Sequence, residues 1–115
     1  MSYVSGLVLA VPTDNRDAYL EMAENASNVF REHGATRVVE CWGDDVPDGE
    51  VTDFGRAVKA GPGETVVLSW IEWPDKSTAD AAWERMRSDE RMRPDAMPFD
   101  GKRMIWGGFE TILDR

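Results

Sequence analysis

Two glutamates sit where strand-like segments carry heavy aromatic residues: Glu40 beside Trp42, and Glu72 between Trp70 and Trp73. A carboxylate among indoles loses water, its charged form is disfavoured, and the group becomes suited to taking a proton as a general base. If the two segments pair, Glu40 and Glu72 approach each other near the sheet. The same residues also read as ordinary strand positions. Asp44, Asp45 and Asp48 extend the carboxylate group, but Asp44-Asp45-Val46-Pro47-Asp48-Gly49 carries the residues of turn chemistry. Its spacing lacks the calcium-loop signature, so no metal site is expected there. His33 is the only histidine and stands directly before Gly34, which suits a helix end better than a metal or haem ligand. Cys41 is the only cysteine; mid-strand, it reads as a small hydrophobe rather than a nucleophile.

Arg103 follows Asp100-Gly101-Lys102 at the start of a strand. It is expected to make a bidentate ion pair with a carboxylate, the alternative being to orient a ligand's carboxylate. Five tryptophans are many for 115 residues. Trp83 falls on a helix stripe and reads as core. Trp42, Trp70, Trp73 and Trp106 fall on strands, where large aromatics suit either a ligand pocket or a subunit interface.

The elements that would carry these groups follow from periodicity. Tyr3 to Val11 reads as a strand closed by Pro12. Thr13-Asp14-Asn15 offers caps for a helix whose apolar residues recur at Tyr19, Met22, Ala23, Ala26, Val29 and Phe30, with Gly34 as its stop. Ala35 to Asp44 and Thr65 to Trp73 are strands. Between them a long loop holds a short helix near Phe54 to Lys59. A second long helix runs from about Asp75 to Ser88 on the stripe Ala79, Ala82, Trp83 and Met86. Lys102 to Leu113 is the last strand, where Gly107-Gly108 suggests a bulge or a close backbone approach.

The order is β-α-β-β-α-β. It implies an α+β, ferredoxin-like fold over residues 1–115: a four-stranded antiparallel sheet with two helices on one face. A sheet with one face in water alternates apolar and polar residues cleanly. These strands do not: one parity of the third is Val66, Leu68, Trp70 and Glu72, the other Val67, Ser69, Ile71 and Trp73. Both faces therefore need cover, and with two helices available the second cover is expected to be another copy of the chain. Such a homodimer is a dimeric α/β barrel, and a small-molecule cavity is expected between its sheets.

Charge excludes other partners. Lys+Arg 13 against Asp+Glu 22 gives a net charge of -9. Phosphate backbones and anionic membranes attract clustered cations, whereas Arg85, Arg87, Arg91 and Arg93 alternate with Glu84, Asp89, Glu90 and Asp95. Neither nucleic acid nor membrane is expected as a partner. One cysteine and no apolar signal segment suggest the cytoplasm.

Three segments resemble a known family: Glu40-Cys41-Trp42-Gly43-Asp44-Asp45-Val46-Pro47-Asp48-Gly49; Ser69-Trp70-Ile71-Glu72-Trp73-Pro74; and Met97-Pro98-Phe99-Asp100-Gly101-Lys102-Arg103-Met104-Ile105 with Gly107-Gly108-Phe109. Together they are similar to the YbaA-like family of small bacterial proteins of unknown function, across nearly the whole chain; Trp106 stands where that resemblance implies Tyr. It implies the dimeric α/β-barrel superfamily, which includes cofactor-independent monooxygenases, haem-degrading relatives and stress-related binding proteins. It supplies no catalytic residues. The expectation is therefore a homodimer that binds, and in one reading transforms, a small hydrophobic or aromatic molecule without a cofactor or metal. Glu40 or Glu72 would be its base, Trp42, Trp70, Trp73 and Trp106 its walls, and Arg103 its orienter. The alternative is a non-catalytic dimeric stress or interaction module.

Overall fold

The computed structural model describes residues 2–93 and 97–115; Asp95 of the arginine-rich stretch lies outside them. Strand β1 (Tyr3–Pro12) leads through a single 3-10 turn, Thr13–Asn15, into helix α1 (Arg16–Glu32). Strand β2 (Arg37–Trp42), the one-turn helix α2 (Phe54–Ala57), strand β3 (Glu64–Trp73), helix α3 (Lys76–Met86) and strand β4 (Ile105–Glu110) follow.

Local chain chemistry explains where α1 ends and where α3 begins. Helix α1 buries Tyr19, Ala23, Val29 and Phe30. It closes on Gly34, whose φ of +108° a glycine adopts without strain. There the Gly34 N–H donates to Arg31 O at 3.1 Å and the Ala35 N–H to Phe30 O at 3.0 Å, both bonds of a Schellman stop. His33 is the C-cap residue, as its place before Gly34 suggests. At the other end the expected cap does not form: Asn15 makes no capping bond, and its amide donates instead to Pro98 O at 2.9 Å. Helix α3 starts on Asp75, whose carboxylate accepts from Thr78 N at 2.8 Å and Ser77 Oγ at 3.0 Å.

The sheet is antiparallel, in the order β2-β3-β1-β4. It is open, with β2 and β4 as edges. Strand β4 is shorter than expected because Gly101–Arg103 forms a 3-10 turn capped by Asp100. The pairing of β4 with β1 runs without a bulge from Tyr3↔Glu110 to Val8↔Ile105. The glycines answer to close approach instead: a Cβ on Gly108 would collide with the Tyr3 hydroxyl.

Residues directly opposite in antiparallel strands share a face. The register therefore sorts the sheet. Leu9, Val11, Val67, Ile71 and Trp73 face α1 and α3 and are buried, forming two apolar clusters with Val29, Phe30, Ala79, Ala82, Tyr19, Ala23 and Phe99. The other face carries three rows: Arg37–Glu72–Val4–Phe109, Val39–Trp70–Gly6–Gly107 and Cys41–Leu68–Val8–Ile105. Nothing described covers those rows. The molecule is a slab of 38 × 37 × 21 Å, one helix layer on one sheet layer. Leu68, Ile105 and Phe109 are exposed there by 41, 44 and 59%.

Candidate functional site

A cavity of about 660 Å³ lies between α1 and the helix-covered face of the sheet. That volume falls within the usual range for small-molecule sites. Its floor is Leu7, Leu9, Ser69 and Ile71 from β1 and β3, with Glu40 from β2. Tyr19, Met22, Ala23, Ala26 and Phe30 from α1 form one wall. Trp83, Met92, Met97, Pro98, Phe99 and Met104 complete the lining. Exposed residues, among them Ala18, Glu21, Asn25, Arg91 and Met97, also line it, so it opens to solvent. Four of the chain's six methionines line this space. Unbranched, polarizable thioethers repack easily around ligands of different outline.

One half-buried carboxylate, Glu40, faces this apolar space. Glu40 Oε1 accepts from the Tyr19 hydroxyl at 2.6 Å, and Oε2 accepts from Ser69 Oγ at 2.8 Å. Burial, reinforced by the Glu40 carboxylate against the hydroxyl, pushes the Tyr19 phenol well above its ordinary value. Tyr19 therefore keeps its proton and stays a donor. Ser69 is buried, and both hydroxyls are held on rigid elements, so the carboxylate's direction is set before any ligand arrives.

The wall at α3 has its own anchor. Trp73 Nε1 and Trp83 Nε1 both donate to Ser5 Oγ, at 3.0 and 3.3 Å. The two indoles meet edge to face with centroids 6.3 Å apart, and Trp83 meets Phe30 the same way at 5.5 Å.

At the rim, Arg91 is engaged. Its guanidinium binds both oxygens of Glu32 at 2.9 and 3.1 Å and both oxygens of Asp89 at 2.7 and 3.1 Å. These bonds, with the N–H of Arg91, hold Asp89 down to about 2.

The other expected site residues lie elsewhere. Glu40 and Glu72 do not meet: register puts Glu40 opposite Ser69 on the helix side and Glu72 opposite Arg37 on the bare side. Glu72 accepts from Trp70 Nε1 at 2.9 Å and lies 3.6 Å from the Arg37 guanidinium. Trp42 packs against the Leu9 cluster, with Arg16 5.6 Å above its ring. Trp73 is fully enclosed in the core. Trp106 is 74% exposed on the edge strand. Arg103 takes the structural role: it grips both oxygens of Glu64 at 2.8 and 2.7 Å, Asp100 at 3.0 Å and Lys59 O at 2.8 Å. Asp53 organises the loop before β3, accepting from Gly49 N and Arg56 N. Among the described residues, no group of three or more His, Cys, Asp or Glu side chains could hold a metal ion, and no helix is long and apolar enough to cross a membrane.

A family model described as "Protein of unknown function (DUF1428)" matches residues 2–101. The chain belongs to this DUF1428 family. It is 60% identical over 116 residues to the uncharacterized protein YbaA of Escherichia coli strain K12, covering 99% of each chain. Shigella flexneri YbaA, also uncharacterized, gives the same figures. The matched span of this DUF1428 member carries most of the cavity wall but not Met104.

Of the residues that the sequence offered as site candidates, Glu40 alone lines the cavity. Tyr19 and Ser69 were missed because each looks like an ordinary core position until α1 is laid on the sheet. The methionine-rich stretch from Met92 to Met104 was the available signal.

Proposed function

We propose that this chain binds a small hydrophobic or aromatic molecule in the cavity beneath α1, without a bound cofactor, as a cytoplasmic homodimer. The cavity carries the reading: apolar walls, an adaptable methionine side and one oriented carboxylate are the composition of a ligand site. It lies within one chain, not between two sheets as the sequence suggests. Glu40 is the group placed to receive a proton if the bound molecule is transformed. Thermal unfolding in the presence of a panel of aromatic probes tests binding, since a ligand of the native state raises the midpoint. At least one probe is expected to raise it, and Ala26→Trp, which fills the cavity, to abolish the rise. A panel without effect on wild-type protein overturns the reading.

The dimer rests on a separate observation. The strand order and the helices on one face suit a ferredoxin-like half-barrel, and the bare face has only Arg37 and Glu72 as charged members of its three rows. A solvated face would be polar. Two such faces packed together would complete a dimeric α/β barrel. Phe109 fits this role: its ring lies over the Gly6–Gly107 pair, 3.2 Å from where a Gly6 Cβ would stand, smoothing the centre of the face. Sedimentation equilibrium is expected to return twice the chain mass; a monomer at tens of micromolar would remove the dimer and leave the cavity reading intact.

A further inference from the structure

We infer that the cavity selects apolar molecules carrying a protonated amine or a comparable cationic N–H group, and discriminates against carboxylates of the same shape. The inference rests on the reading of the cavity as a ligand site and adds the charge of its occupant.

The argument starts from what Glu40 lacks. An ionised carboxylate is an acceptor only, with about four lone-pair directions. Tyr19 and Ser69 fill two, one on each oxygen. No ion pair among the described residues includes Glu40. The Glu40 carboxylate thus faces a largely apolar lining with no ion-pair partner among the described residues. A charge in such surroundings gains from a paired donor far more than it would in water.

Arg91 is the one lysine or arginine among the described residues that line the cavity, and its guanidinium is already engaged. Glu32 and Asp89 together occupy its guanidinium through four bonds. Glu21 adds a further carboxylate at the rim. Among the described residues that line the cavity, an incoming anion therefore meets Glu40 and Glu21 and no unpaired cation. An ammonium meets two open acceptor directions on Glu40, while its hydrocarbon body lies against Met22, Phe99 and Trp83. Specificity of this kind comes from placing an unpaired group that the wrong ligand cannot satisfy.

Isothermal titration calorimetry at pH 7 tests it with three probes of one ring system: 1-naphthylmethylamine, 1-naphthylmethanol and 1-naphthylacetate. On wild-type protein the amine is expected to bind at least about tenfold more tightly than the alcohol, and the acetate more weakly than either. Glu40→Gln is nearly isosteric and can still bond both hydroxyls; it is expected to bring the amine and alcohol within about twofold of each other. Unfolding midpoints establish that the variant is folded, and the wild-type ranking stands as a test without it. Equal binding of amine and alcohol to wild type, or a gap that survives in folded Glu40→Gln, overturns the charge selection while leaving the cavity as a ligand site. Binding by none of the three overturns the charge selection for ring systems of this size; the broader aromatic panel then decides whether the cavity reading falls with it.

Discussion

Ser5 holds together the wall that α3 contributes to the cavity, and truncating it to alanine isolates that role. The Ser5 hydroxyl accepts from two indoles, Trp73 at 3.0 Å and Trp83 at 3.3 Å. Ser5→Ala removes one oxygen and leaves a methyl of nearly the same size, so no large cavity forms. What remains is an indole N–H on Trp73, a residue 0% exposed, with no water to replace its partner. A buried donor left unpaired costs about 1–3 kcal/mol. Trp83 is half-buried and its bond is longer, so it loses less. The expected total is about 2 kcal/mol. For 115 residues, unfolding entropy of about 2.1 cal/mol/K per residue converts this to a fall of roughly 8 °C in Tm. Urea unfolding followed by tryptophan emission should show a lower midpoint with an unchanged slope. A double-mutant cycle locates the loss: Ser5→Ala with Trp73→Phe should couple by about 1–2 kcal/mol, and with Trp83→Phe by less than about 0.5 kcal/mol. A cost below about 0.5 kcal/mol, or coupling that resides with Trp83, would refute the reasoning.

Further outcomes follow from the same geometry. In the proposed dimer, Leu68→Glu places a charge in the middle of the bare sheet face and is expected to halve the mass seen by light scattering, with the unfolding midpoint of the monomer little changed; a dimer that survives the change would overturn this face as its interface. Arg103→Gln releases Glu64, which the guanidinium's hydrogen bonds hold at about 2 against an ordinary 4.5. A depressed carboxylate stabilises the fold above its unfolded value and loses that contribution as pH falls through its folded one. The variant should therefore be less stable at pH 7, and the difference should shrink between about pH 4.5 and 2; a constant difference would assign the loss to packing. Gly34→Ala forces a side chain onto φ +108° with its Cβ 2.8 Å from Thr78 Cγ2, and should cost about 1–2 kcal/mol by urea unfolding, of which Thr78→Ser recovers only the steric part.

Local pattern made most of the elements legible. The stripe from Tyr19 to Phe30 gave α1, Asp75 and Gly34 marked a start and a stop, and β-rich runs gave the strands. Each rests on neighbours within a few residues, which a chain carries in its order. The end of the chain was less legible: Asp100 caps a 3-10 turn that shortens β4, and the paired glycines make room for Tyr3 and lie under Phe109 instead of forming a bulge.

What the amino-acid order settled by itself was the element sequence, the acidity, and the fact that apolar residues occupy both parities of the strands. What only the folded chain decided was which parity faced the helices. A one-residue slip in pairing reverses every side chain, and the segment between β2 and β3 is too long to dictate the register. That register separates Glu40 from Glu72 and sets Glu40 beneath Tyr19. The cavity depends on a still longer reach, since Phe99 and Met104 come back over α1 from beyond α3. Contacts between residues that far apart exist only once the backbone has brought them together, and there the carboxylate acquires its surroundings.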